Sequence, residues 1–472
     1  MSEIWEMSAW ELARQIQART VSSREVVEAH LRRIAEVNPQ VNAVTAVLAE
    51  QALQAADAAD HALSSGTPVG PLCGVPVTVK ENIDVAGSAT TLGIVPLRDA
   101  VAAADAPHIA ELRAAGAIPI GRTNMPEFGM RWHTDNDLHG ATRNPWSAAH
   151  TPGGSSGGDA VAVATGMAAL GLGNDGGGSL RWPAQCCGVA ALKPSLGRVA
   201  QVGLPAGTGG PPQPTPFGFQ LLAVHGPIAR SVRDLRLAFT HMCADHGGDP
   251  WHAPVPLHGP PVPAPVRVWL ATDPDGPALD PGVAAALRQA AERLCDAGYV
   301  VTEGRVPALV RAGEIYTQLL SAYGRVHEVQ PPVESVASEG FVRFWAEYEP
   351  HWNRAAGQAA FDPMMERAAI ARAWMAWMSQ AALVLAPICT GPAFAVGSDL
   401  DADRLARWPA SLRMAWTVNL LGLPAVAVPT GVAEDLPQGV QIIGPRFRED
   451  LCLDAAEAIE ARTPSLTPIT PR

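Results

Sequence analysis

Lysine is almost missing from this chain of 472 residues: only Lys80 and Lys193 occur, and every other basic residue in a Lys+Arg total of 34 is arginine. Arginine cannot lose its proton inside a protein, whereas a buried lysine can become neutral and act as a base. Lys80 and Lys193 are therefore the first positions to question, with plain compositional bias as the alternative. Positive charge is scarce overall, and the formal net charge is −12. Neutralising phosphates takes a basic patch, so the expected partners include no nucleic acid and no anionic membrane surface.

Other absences narrow the field further. The seven cysteines show no CxxC and no His/Cys ligand spacing, and the adjacent pair Cys186-Cys187 is poorly placed for an ordinary disulfide. Reduced, buried thiols in a cytoplasmic protein are expected, with no metal and no cofactor. The first residues, MSEIWEMSAWELARQ, carry acidic groups and lack the apolar segment of a signal peptide. The uncharged stretch Ala160 to Gly173 is interrupted by glycine and too short to span a bilayer. No internal repeat is visible. What remains is a globular composition, 47% hydrophobic, whose 44 glycines and 43 prolines imply many ordered loops.

Two capping boxes open the chain, Ser8 with Glu11 and Ser22 with Glu25, the second leading into Val27, Leu31 and Ile34 at helical spacing. Two amphipathic helices are predicted up to Asn38-Pro39. Val75 to Lys80 reads as a strand with Val75, Val77 and Val79 on one face and Thr78 and Lys80 on the other. A helical stretch around Ile109 to Ala115 precedes a strand at Ala117 to Ile120. Short strands are also predicted at Val266–Ala271, Tyr299–Thr302, Ala382–Ala386, Ala425–Val428 and Val440–Ile443. Glu314 to Met378 is helical in pattern and rich in aromatic residues, most of them core and a few able to face a pocket. Gly203 to Gly218 reads as a loop, either a lid or a passive connection, and Asp245 to Pro265 as a link between two halves. The alternation of helix and strand predicts an α/β fold with a mixed, mostly parallel sheet covered by helices.

The densest chemistry lies between Pro152 and Arg198. Two clusters, Gly153-Gly154-Ser155-Ser156-Gly157-Gly158 and Gly176-Gly177-Gly178-Ser179, flank a small-residue helix expected from about Asp159 to Leu170. Glycines let backbone N–H groups converge on one anionic centre. Three readings compete. A phosphate cradle would need a following Gly-Lys-Ser/Thr or a dinucleotide fingerprint, and neither is present. Gly153 to Gly157 matches the G-x-S-x-G of Ser/His/Asp hydrolases, but the residues before it make a poor strand and no later histidine stands in a recognisable context. The third reading joins both clusters to Lys80.

GVPVTVKEN (Gly74 to Asn82), GRTNMPEF (Gly121 to Phe128), ATRNPW (Ala141 to Trp146), GGSSGG, GNDGGGSLR and CCGVAALKPSLGRV together resemble the amidase signature family. GPIARSVRDL (Gly226 to Leu235), NLLGLPAVAVPTG (Asn419 to Gly431) and GVQIIGPRF (Gly439 to Phe447) extend the resemblance over almost the whole chain. It implies a single domain over residues 1–472, with a signature core at about 70–240 and a C-terminal half at about 266–472 that completes the sheet and pocket. It also implies a catalytic set of Lys80, Ser155 and Ser179. Ser179 would be the nucleophile, with Gly176, Gly177, Gly178 and Ser179 supplying an oxyanion hole through their N–H groups. Ser155, held by a cis peptide bond, would be hydrogen-bonded between Ser179 and Lys80, and Lys80 would be the base, neutral near pH 7.5. Asp175 and Arg181 would fix the glycine loop, with a surface ion pair as the alternative, and Lys193 would be structural.

The chain departs from its relatives after GRTNMPEFGM. Members that use glutamine carry small polar residues near there, whereas Met130 and Trp132 imply a bulkier apolar acyl or aryl site; the alternative places Trp132 in the core. The stretch Gln318 to Arg325 also lacks the ASSNLARYDG-like pattern of the glutamine-hydrolysing chains of tRNA-dependent amidotransferases. The expected activity is hydrolysis of a small-molecule amide, ester or carbamate by a monomer or homodimer. The competing expectation is the glutamine-hydrolysing component of a tRNA-dependent amidotransferase.

Overall fold

The computed structural model describes residues 3–202, 217–244, 246–272, 276–326, 335–352 and 362–472. Both capping boxes close: Ser8 accepts from the Glu11 N–H ahead of the helix Ala9–Gln17, and Ser22 from the Glu25 N–H ahead of Ser23–Val41. The second helix continues past the expected stop: Pro39 lies in its last turn, at the loss of one backbone hydrogen bond, and the helix runs on to Val41. Asn42, at φ 50°, ends it; asparagine tolerates the left-handed region better than most residues.

The strands are β1 (Val44–Val47), β2 (Pro76–Lys80), β3 (Ile118–Thr123), β4 (Leu170–Asp175), β5 (Ala190–Lys193), β6 (Val224–Ala229), β7 (Arg267–Thr272), β8 (Val300–Arg305), β9 (Leu383–Pro387), β10 (Ala425–Ala433) and β11 (Leu436–Ile443). They form one sheet in the order β1-β3-β2-β4-β6-β5-β10-β11-β9-β7-β8. The mixed α/β sheet is as expected, but its parallel character is narrower than expected. Only the runs β3-β2-β4 and β9-β7-β8 pair in parallel; the other six pairings are antiparallel. One of them is the hairpin β10–β11, which needs no crossover and turns at Glu434 and Asp435, both at positive φ. The sheet is continuous from the signature core into the C-terminal half through the pairing of β5 with β10.

Four strands escape the sequence pattern: β1, β4, β5 and β6. The helix expected from Asp159 to Leu170 spans Gly157–Ala164, and Leu170 begins β4. The chain reverses at Gly166 (φ +75°), against the Trp5 ring, where a side chain would find no room. With the sequence LGLGND, β4 has no β-branched residue to announce it.

Apolar cores lie on both faces. Val75, Val77 and Val79 pack with Leu12, Ile16, Leu235, Phe239 and Leu453 on one side. The other side holds Ala160 and Val161 of the Gly157–Ala164 helix, Trp182, and a large aromatic group. Thr78 and Lys80 alternate onto that second face, as a two-residue strand period demands. Of the loop expected at Gly203 to Gly218, residues 203–216 lie outside the described residues. Among the described residues, no helix is long and apolar enough to cross a membrane.

Candidate active site

Lys80 closes β2 and is fully buried. Its Nζ is 2.7 Å from Ser155 Oγ, 3.1 Å from Ser156 Oγ and 2.8 Å from Asn174 Oδ1. Two of these contacts have fixed direction. Asn174 gives its amide N–H to Asn82 Oδ1 at 2.9 Å, which turns its oxygen toward Lys80. Ser156 donates its own proton to the Asn174 carbonyl at 3.3 Å, so its oxygen accepts from Lys80. A neutral amine has two N–H groups, and these two acceptors take both. Its lone pair is then left facing Ser155. Burial pulls the Lys80 pKa from 10.5 to about 7, against the charges of Asp159 and Asp175, which pull the other way.

Asp159 is a site residue that sequence reasoning missed. It lies in the first turn of the Gly157–Ala164 helix and is fully buried, with Thr123 Oγ1 donating to its Oδ1 at 2.7 Å. Thr123 is the β3 register partner of Lys80, so the carboxyl stands beside the lysine. Its Oδ2 has no hydrogen-bond partner among the described residues. Burial raises its pKa to about 7, opposed by the Thr123 bond, Lys80 and Arg122. The available signal was a lone charge in the small, apolar run GGDAVAVA.

The two glycine-serine clusters meet where the Ser156 N–H donates to the Ser179 carbonyl at 3.2 Å. The Gly154–Ser155 peptide bond is cis. No hydrogen bond joins Ser179 Oγ to Ser155 among the described residues. Gly176, Gly177 and Ser179 are partly exposed, whereas Gly178 is buried. The N–H groups of Gly176, Gly177 and Ser179 find no acceptor among the described residues. Gly178 departs from the expected set, since it spends its N–H on Asp175 Oδ1 at 2.7 Å and so anchors the loop.

Asp175 and Arg181 form no surface pair: both side chains are fully buried, with Arg181 Nε 2.9 Å from Asp175 Oδ2 and Nη2 3.0 Å from Oδ1. Burial alone would raise the Asp175 pKa, but the charge and hydrogen bonds of Arg181 hold it well below the usual carboxylate range. Asn419 joins them, donating to the Asp175 carbonyl at 2.9 Å. Lys193 is buried too, and its Nζ donates to the carbonyls of Pro194 (2.9 Å) and Leu423 (2.7 Å), with no hydroxyl bonded to it among the described residues. That arrangement fits a structural lysine.

An aromatic wall abuts the glycine loop. A Cβ at Gly177 would run into the Tyr316 hydroxyl and come within 3.3 Å of Trp416 Cδ1. Tyr316 stacks on Trp416 with ring centres 4.9 Å apart, and Trp416 lies 6.2 Å from Trp132. Trp132 is buried, packed also on Phe344 (5.6 Å) and Trp408 (5.3 Å), so it belongs to the core and to this wall at once. Met130 is partly buried against the same core. The turn that carries it passes the lysine partner, since a Cβ at Gly129 would be 3.4 Å from Ser155 Oγ. Among the described residues no group of His, Cys, Asp or Glu could hold a metal ion.

Comparison with known proteins follows the same lines. A family model described as Amidase matches residues 25–453. An indoleacetamide hydrolase of Bradyrhizobium diazoefficiens is 42% identical over 462 residues, covering 97% of this chain and 87% of that protein. A glutamyl-tRNA(Gln) amidotransferase chain of Synechococcus sp. (strain CC9605) is 34% identical over 486 residues, covering 96% and 95%. Among solved structures, a 6-aminohexanoate cyclic dimer hydrolase complexed with substrate superposes with a TM-score of 0.84 at 29% identity, covering 98% of both chains.

Proposed function

The chain belongs to the amidase family and is an amidase, and from that premise we propose that it hydrolyses small arylacetamides as a stand-alone enzyme, through an acyl-enzyme on Ser179. The observation that carries this reading is the wall of Tyr316, Trp416 and Trp132 directly against the glycine loop that bears Ser179. Such a wall suits a flat aromatic acyl group, as ligand sites are lined mainly by apolar and aromatic side chains. The relative named indoleacetamide hydrolase, 42% identical, supports the same substrate class. The amidotransferase reading rests on relatives of lower identity, 34% for the Synechococcus protein.

In this reading neutral Lys80 takes the Ser155 proton while Ser155 takes the proton of Ser179, whose oxygen attacks the amide carbon. The carbonyl oxygen gathers negative charge against the N–H groups of Gly176, Gly177 and Ser179. The proton returns along the same path to the nitrogen, the C–N bond breaks, and ammonia or an amine leaves. Water, deprotonated by the same relay, then releases the carboxylic acid. An ester or carbamate presents the same carbonyl to the same groups. The isolated chain, assayed on indole-3-acetamide, an anilide and glutamine, is expected to release ammonia or aniline from the aryl substrates. Glutamine turnover with no aryl amide turnover would sink the proposal.

A further inference from the structure

The oxyanion loop is held from outside the signature core. Tyr316, on the helix Leu309–Val326, donates its hydroxyl proton to the Gly176 carbonyl at 2.9 Å. That carbonyl and the Gly177 N–H are the two ends of one peptide unit. The Tyr316 ring is buried and braced by its stack on Trp416, with an interplanar angle of 15°. Its hydroxyl fills the space where any side chain at position 177 would go, so Gly177 is a glycine because Tyr316 is there. Burial raises the phenol pKa far above its ordinary value, and the hydroxyl therefore remains a donor at every working pH.

We propose that Tyr316 is a positioning residue of the oxyanion hole: by holding the Gly176 carbonyl it aims and polarises the Gly177 N–H at the substrate oxygen. Hydrogen bonds in a chain polarise one another, and a carbonyl that accepts a hydrogen bond makes its own peptide N–H a stronger donor. The effect grows as charge develops on the substrate oxygen, so it belongs to the transition state rather than to substrate binding. This inference rests on the reading of Ser179 as nucleophile.

The test compares wild type, Tyr316→Phe and Ser179→Ala on one arylacetamide. Losing a whole oxyanion donor costs about 100- to 1,000-fold in kcat, and losing its polarising partner is expected to cost about 5- to 30-fold, with KM unchanged. An arylalkyl boronic acid, which forms a tetrahedral adduct on the serine, should bind Tyr316→Phe more weakly by the same factor. The corresponding alcohol, which forms no adduct, should bind both proteins equally. A wild-type kcat in Tyr316→Phe, or a loss confined to KM and alcohol binding, would overturn the proposal. Turnover by Ser179→Ala would instead overturn the nucleophile assignment. If Tyr316→Phe does not fold, 3-fluorotyrosine at 316, a stronger donor of nearly the same shape, should raise kcat about twofold, and no rise overturns the proposal.

Discussion

Asp159→Asn removes one buried negative charge beside Lys80 and leaves Thr123 an oxygen to donate to. The size of the effect follows from the fold. Thr123 stands opposite Lys80 in the β2–β3 register, adjacent strands are about 5 Å apart, and Thr123 reaches the carboxylate at 2.7 Å. The carboxylate is therefore within roughly 8 Å of the ammonium, where two unit charges at an effective dielectric of about 20 interact by about 2 kcal/mol, or ~1.5 pKa units. A carboxylate stabilises the protonated lysine, so its loss lowers the Lys80 pKa further, with ~1.5 units as the upper bound set by a fully ionised Asp159. In the proposed relay turnover needs neutral Lys80, so kcat/KM is expected to rise with pH through that pKa. Because burial raises Asp159 to about 7 as well, its charge is present mainly from neutrality upward, and the gain in neutral Lys80 should be largest near pH 7. Asp175, the other carboxylate acting on Lys80, is held by Arg181 and does not change, and Arg122 acts on Asp159 from the far side. The assay is kcat/KM on an arylacetamide from pH 5 to 9 for both proteins, each normalised to its own plateau. An acid limb that stays in place, or moves to higher pH, would refute the reasoning.

Three further outcomes can be checked directly. Lys80→Arg should reduce turnover by at least ~1,000-fold, because arginine keeps the charge but cannot accept the Ser155 proton; wild-type kcat in this variant would remove Lys80 from the relay. Arg181→Met leaves the Asp175 charge buried and unpaired, so urea denaturation should show a loss of about 3–5 kcal/mol together with lower kcat, and a loss below ~1 kcal/mol would contradict the anchoring role. Burial lowers the Lys193 pKa from 10.5 to about 7, so between these values the unfolded chain binds more protons than the folded one and stability rises with pH. Lys193→Met should therefore gain less between pH 7 and 8.5 than wild type, by up to about 2 kcal/mol, while keeping its turnover; an identical rise would show that Lys193 does not titrate with folding. Higher pH is avoided because burial raises the Cys187 and Cys243 thiols, which work in the opposite direction.

Much of the site was legible because its residues sit in short, chemically distinctive runs. The strand alternation at Val75 to Lys80 placed the lysine opposite the valines, and the doubled serine lay beside its glycines in plain view. Asp159 and Asn174 stand in the same runs, yet nothing local marks them as lysine partners: Asn174 comes to Lys80 from 94 residues away, and the Asp159 contact depends on Thr123, 36 residues earlier. β4 was misread for a related reason, since Leu-Gly-Leu-Gly carries no strand propensity and becomes a strand only by pairing between β2 and β6. Trp132 could be assigned to core or pocket from its sequence, and its packing against Trp416 and Trp408 shows that the distinction does not hold there.

Short motifs in the sequence pointed to the reaction class through their resemblance to the amidase signature family. Two lysines among so many arginines, one closing a hydrophobic strand, and two serines in glycine runs are the functional groups on which the proposed relay draws. Those are properties of functional groups and travel with the letters. Protonation and direction are different, because they depend on what surrounds a group once water has gone. Burial lowers Lys80 toward neutrality, Asn174 and Ser156 turn its lone pair to Ser155, and Asp175 claims the Gly178 N–H while Gly177 keeps its own. Tyr316 reaches the loop across 140 residues of chain. Only the folded structure brings these groups within hydrogen-bonding distance and excludes solvent from between them, and that decides which lysine has a serine hydroxyl in reach and which loop N–H groups lack an acceptor among the described residues.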